Sequence, residues 1–83
     1  MTTFARRIVQ LEPGGQLDYR EPLWQDAIVV VLAGGLDIEC ASGECHCFRS
    51  GDILTLAHLP VRRAHNSGAG PTRLLAIWRH AHR

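Results

Sequence analysis

Apolar residues occur along this chain in short bursts separated by Gly and Pro. "ARRIVQL" (5–11) carries β-branched residues and stops at Glu12-Pro13-Gly14-Gly15, a turn signal. "QLDYR" (16–20) alternates apolar and polar residues and predicts a half-buried strand, and "EPLWQD" (21–26) predicts a loop. "AIVVVLA" (27–33) is apolar at every position and predicts a central strand covered on both faces. Gly34-Gly35 then breaks or bulges the chain.

"LDIEC" (36–40), the loop "ASG" and "ECHCF" (44–48) form a hairpin whose register can be decided. A three-residue loop with Gly43 in the left-handed position pairs Leu36 with Phe48 and Ile38 with His46. A two-residue turn would set Phe48 against Asp37 and split the apolar face, so the first register is preferred. "SGD" (50–52) is a further turn. "ILTLA" (53–57), "PVRRAHN" (60–66) and "TRLLAIWR" (72–79) are further strands, and "HAHR" is a frayed tail within 79–83. The expected core is Val9, Leu11, Ile28, Val30, Leu32, Leu36, Ile38, Phe48, Ile53, Leu74 and Trp78, with the two faces of "IVVVL" left open. No stretch holds a helical period. Many short strands with Gly/Pro turns predict an all-β barrel or sandwich of antiparallel strands, with little or no helix.

The 83 residues predict one domain, 1–83. A domain this small is only marginally stable and is often helped by a disulfide, a metal or a partner subunit. Nine basic and eight acidic residues give a net charge of +1, which is no footprint for nucleic acid or an anionic membrane. All nine basic residues are arginine. No segment approaches the ~18 apolar residues of a membrane span, and the N-terminus lacks a signal-peptide core. A cytoplasmic location and reduced thiols are therefore expected.

The order of "LEPGG", "VLAGGL", "FRSGDILTL", "HNSG" and "TRLLAIW" resembles the cupins, small jelly-roll barrels, over about Val9 to Trp78. Laid from Gly51, the second cupin motif reaches Asn66 without a gap. Ala57 stands for its Pro, Leu59 for its Gly and Arg62 for its metal-binding His. In the first motif, the Glu position falls on Ala27 and the His positions on Glu21 and Leu23. A two-residue shift, matching Pro22 to the Pro often following the second His, gives Tyr19 and Glu21. No histidine precedes His46. The resemblance implies the fold, and by count the usual ligands are missing. No cofactor and no divalent metal are expected. Were a metal bound, His58, His65, Cys45 and Cys47 would be the ligands to consider. Strand alternation separates Cys45 and Cys47 from His46 and Cys40, so these groups do not converge as tetrahedral zinc requires.

In the cupin register Arg62 enters the barrel. Its permanent charge then needs a partner, and Glu21 is the leading one. Alternatively Arg62 receives an anionic group of a ligand, with Tyr19, Trp24, Gln25 and His58 lining the mouth. A third option is a guanidinium that snorkels to solvent. His46 is expected as an inward residue beside Ile38, and Asp52 as a determinant of the turn into "ILTL". Three functions follow. The first is a metal-free domain binding a small, possibly anionic ligand, as a sensor or accessory protein. The second is a small enzyme, either an isomerase or epimerase using a His with Asp26 or Glu21, or a metal-dependent one with non-standard ligands. The third is a dimerisation module with a filled barrel. A homodimer is expected from the small size and from the pairing common among cupins.

Overall fold

The computed structural model describes residues 2–21, 23–57 and 59–81. Seven strands lie in this part: β1 (Thr2–Leu11), β2 (Ile28–Ala33), β3 (Gly35–Cys40), β4 (Cys45–Arg49), β5 (Ile53–Thr55), β6 (Val61–His65) and β7 (Thr72–Ala81), with a one-turn helix α1 (Leu23–Asp26) before β2. They form two antiparallel sheets, ordered β1-β7-β2-β5 and β4-β3-β6. The architecture is all-β, as the pattern of short strands predicts.

The β3–β4 hairpin has the expected register. Leu36 faces Phe48 and Ile38 faces His46, and Gly43 takes a φ of 94° in the loop. Gly43 donates to the Cys40 carbonyl at 2.9 Å and Cys40 to the Glu44 carbonyl at 2.8 Å, closing the turn. Keeping Leu36, Ile38 and Cys40 together on the buried face is what selects this pairing.

The core lies between the sheets. Val29, Val31, Leu54, Leu74 and Ala76 come from one side and Leu36, Ile38, Cys40 and Ala64 from the other. Trp24 from α1 and Leu17 from the preceding loop close one end of the cluster. Three expected core residues, Ile28, Leu32 and Ile53, instead face outward and are exposed. A strand that is apolar on both faces carries no period to fix its register. Here the decision falls to β5 and β7, which pair Val29 with Leu54 and Ala76 and so bury the opposite set.

Two local assignments also change. "QLDYR" is not a strand: Gln16 makes a single bridge to His65, Leu17 donates to the Ala64 carbonyl at 2.8 Å, and the chain then turns. Its alternation reflects Leu17 buried and Tyr19 half-buried in irregular backbone. The expected loop "EPLWQD" contains α1, whose Trp24 amide donates to the Glu21 carbonyl at 3.1 Å. β7 also runs past the expected strand end, through Arg79 to Ala81, held by pairing with Thr2–Phe4. The remaining tail, His82 and Arg83, lies outside the described residues, as do Pro22 and His58.

Asn66 ties the loops together. It is buried, and its Nδ2 donates to the Leu11 and Gly70 carbonyls at 3.1 and 2.8 Å. Its Oδ1 accepts from the Gly68 amide at 2.9 Å. Its backbone bonds to Gly14 and Gly15 fasten the "EPGG" turn to the end of β6.

Candidate functional site

β6 departs from regularity where the site begins. Opposite it, Glu39 faces Arg63 and Cys40 faces Val61, so Arg62 occupies a bulge without a cross-strand partner. Alternation alone would turn Arg62 inward with Ala64. The bulge instead leaves its side chain 71% exposed. The expected pair with Glu21 is absent: Glu21 binds Arg7 at 2.9 Å, tying β1 to the segment before α1. Arg62 lies 3.7 Å from Glu39, whose other oxygen is 3.3 Å from Arg63. One carboxylate thus serves two guanidiniums.

Tyr19 fixes the backbone at this point, its hydroxyl donating to the Arg62 carbonyl at 3.0 Å. It is also the wall shared by two cavities. On the barrel side a cavity of about 280 Å³ is lined by Tyr19, Trp24 and Gln25 together with Leu56, Ala57, Leu59, Pro60 and Val61. On the outer side a groove of about 470 Å³ is lined by Tyr19, Arg62, Arg20, Asp18, Gln16 and Leu17. The structure therefore brings Tyr19, Trp24 and Gln25 together at the mouth and puts Arg62 on the far side of Tyr19. Trp24 is almost fully buried, and its Nε1–H has no acceptor among the described residues. A buried donor without a partner is costly.

The groove carries two guanidiniums and the Asp18 carboxylate, which lies 3.6 Å from Arg20. These ion pairs are solvent-exposed and long, and such pairs contribute little. Their arginines are therefore held only weakly by these carboxylates. Sequence reasoning missed Arg20, Arg63, Glu39 and Gln16. The Glu39–Arg63 facing depends on how β6 docks on β3, which the hairpin pattern does not specify.

The other candidates lie elsewhere. His46 pairs with Ile38 as expected, but its ring is half-exposed, 3.7 Å from Glu44 and stacked loosely towards Phe48, so it is no core residue. Cys45 and Cys47 are exposed free thiols on β4, and Cys40 is a buried one. Asp37 forms a cross-strand row with Cys47 and His65 and accepts from the Ser67 hydroxyl. That bond above all, with support from Cys47, His65 and Arg49, holds the Asp37 carboxyl below its ordinary value. Asp37 in turn pushes the Cys47 thiol up, by hydrogen bonding and by charge. The imidazole Nδ1 of His65 is buried without a hydrogen-bond partner among the described residues.

A metal is the group that this kind of barrel would imply. The donor set at the mouth does not suit one: the described polar side chains there are a phenol, an indole, an amide and, across Tyr19, two guanidiniums, a second amide and the single Asp18 carboxylate, which Arg20 already faces. Among the described residues, no group of three or more His, Cys, Asp or Glu side chains comes together to hold an ion. His58 lies outside them. No helix among the described residues is long and apolar enough to cross a membrane.

No family model and no curated protein matches the sequence. Solved structures do match. A putative glyoxylate induced protein from Pseudomonas aeruginosa is similar at TM-score 0.72 and 25% identity, over 98% of this chain and 30% of that one. A sugar phosphate isomerase from a cupin superfamily, from Silicibacter pomeroyi DSS-3, gives TM-score 0.70 and 21% identity, over 95% of this chain and 51% of that one. A cupin domain from Bordetella pertussis Tohama I gives 0.68 and 20%, over 94% and 82%. The chain thus spans about a third and a half of the lengths of the first two. The two-sheet topology and these likenesses agree: the chain has the fold of the cupin barrels.

Proposed function

We propose that this barrel is a metal-free binding domain that takes a small organic anion at its mouth, without catalysing a reaction on it. The observation that carries this is the position of Tyr19 between a cavity of mixed polar and apolar lining and an arginine-lined groove. The apolar part of a ligand fits against Leu56, Leu59 and Val61. Its anionic group reaches Arg62 and Arg20, whose planar donor forks suit carboxylate or phosphate. The unpartnered Trp24 Nε1–H offers a donor for an acceptor oxygen. The isomerase named among the similar structures acts, by its name, on a phosphorylated sugar, a chemistry compatible with the arginine groove. Proton transfer gets less support, because His46 and Glu44 line neither cavity and Glu21 is engaged by Arg7.

The test is calorimetric titration of the purified full chain with benzoate, phenyl phosphate and inorganic phosphate, followed also by indole fluorescence. Phenyl phosphate is expected to bind more tightly than inorganic phosphate. Arg62→Ala is expected to weaken it by about tenfold or more, as loss of a charge-assisted contact does. Binding unaffected by Arg62→Ala, or absent for all three probes, would sink the proposal. Elemental analysis of the same sample is expected to find far less than one transition metal per chain, and a stoichiometric metal would reopen the enzymatic alternative.

A further inference from the structure

We infer that the outer face of the β4-β3-β6 sheet carries a second binding site, for a small zwitterion such as a free α-amino acid, with the ammonium at Asp37 and the carboxylate at Arg49. The site is a cavity of about 520 Å³, away from the mouth, and Gly35, Asp37, Arg49, Ser50, Ser67 and Gly68 are among the residues that line it. The strand register explains the hollow. Gly35 faces Arg49, and Asp37 faces Cys47 in the next row of the same face. Gly35 brings no side chain, so the sheet is bare where a row would otherwise fill it. A Cβ there would lie 3.2 Å from the Phe48 carbonyl oxygen, tighter than an ordinary contact. Asp37 and Arg49 look onto this gap from diagonal positions. Diagonal neighbours in a sheet lie about 7–8 Å apart, within reach of a long side chain. Even so, the two make no ion pair with each other, and the Arg49 guanidinium pairs with no carboxylate among the described residues. Opposite charges thus border one cavity without meeting.

The ligand class follows from what the walls offer. An anion alone meets the like charge of Asp37, and a cation alone meets that of Arg49. A molecule with both charges meets an opposite one at each end. The planar fork of arginine suits a carboxylate. An ammonium brings three N–H donors and needs acceptors for them. Asp37 is one: the Ser67 bond, above all, holds its carboxyl below the ordinary value, so it is charged at neutral pH. The Ser67 hydroxyl gives its proton to Asp37 and the Ser50 hydroxyl gives its proton to the Leu32 carbonyl at 3.2 Å. Both hydroxyl oxygens therefore keep lone pairs with which to accept. In an α-amino acid one carbon joins the two charged groups. With a charge-assisted bond of about 2.8 Å at each end, such a ligand has the length that a diagonal pair clasps.

The test is titration of the isotope-labelled full chain with glycine, acetate and methylamine near neutral pH, followed by amide NMR spectra. Glycine is expected to shift the amides of Gly35, Asp37 and Gly68 saturably, with a Kd of about 1–10 mM. Acetate and methylamine, which each carry one of the two charges, are expected to bind at least about tenfold more weakly. Asp37→Asn and Arg49→Gln are each expected to weaken glycine by about tenfold or more, with the amide spectrum away from the cavity unchanged. Arg62→Ala is expected to leave glycine binding intact, and Asp37→Asn to leave phenyl phosphate binding intact, so this site and the mouth stand or fall separately. The inference is overturned if glycine gives no saturable shift at these amides up to about 50 mM. Acetate or methylamine binding as tightly as glycine also overturns it, since one charge then suffices. So does glycine binding that survives both substitutions.

Discussion

Asn66 and Asp37 show how much single side chains carry here. The Asn66 amide satisfies three backbone groups: the Leu11 carbonyl in a buried bond, and the Gly70 carbonyl and Gly68 amide in part-buried ones. Asn66→Ala strands the buried Leu11 carbonyl and frees the loop from its other two bonds, so a loss of about 2–3 kcal/mol is expected. In a domain of this size that is a fall in Tm of roughly 10 °C or more, readable by calorimetry. Asp37 acts through charge. Its folded pKa lies below the ordinary 3.8, so its contribution is complete above that pH and fades as pH falls through the lowered value. On its neighbour the sign is opposite: Cys47 keeps its proton to higher pH than a free thiol. Asp37→Asn is therefore expected to speed alkylation of Cys47 by iodoacetamide near pH 8, followed by peptide mass spectrometry, and an unchanged rate would contradict this account. Asn66 was visible in the sequence through its place in the motif. The Asp37 cluster was not, because its members come from three separate segments.

At the level of elements, the hairpin was legible and the segment before α1 was not. Leu36, Ile38 and Phe48 state one face, and Gly43 states the turn, so two independent local signals agree. The turn into β5 was legible too. Asp52 accepts from the Arg49 amide at 2.7 Å, its own amide donates back to the Arg49 carbonyl at 2.9 Å, and Gly51 takes a φ of 96°. Asp52→Ala is expected to cost about 1 kcal/mol, lowering Tm by about 4–8 °C while leaving phenyl phosphate affinity unchanged. By contrast, "QLDYREPLWQD" takes its shape from what it covers. Leu17 and Trp24 are drawn into the core while the backbone bonds locally. Tertiary packing overrides a period of so few residues. The β6 bulge had no local marker either, and it alone decides which way Arg62 points.

For the whole molecule, the order of the seven strands was readable because turns punctuate them, while an eighth strand expected at 16–20 is irregular backbone. The allocation of β2's two apolar faces was not, since a strand apolar on both sides withholds that information. Its two faces have different surroundings, the opposite sheet for Val29 and Val31 and the outer surface for Ile28 and Val30. The site has the same character. Its residues were mostly named, and their division across Tyr19 arises only when β6 docks on β3.

The helix α1 is a single turn, yet it borders two separate spaces: Trp24 and Gln25 face the mouth cavity, while Asp26 borders a hollow beside Phe4. Four residues are too few to hold a helix by their own hydrogen bonds. Whatever settles one side of α1 therefore steadies the other. Ordering at the mouth through Trp24 and Gln25 is thereby felt at Asp26 in the hollow, and ordering in the hollow is felt at the mouth by the same amount.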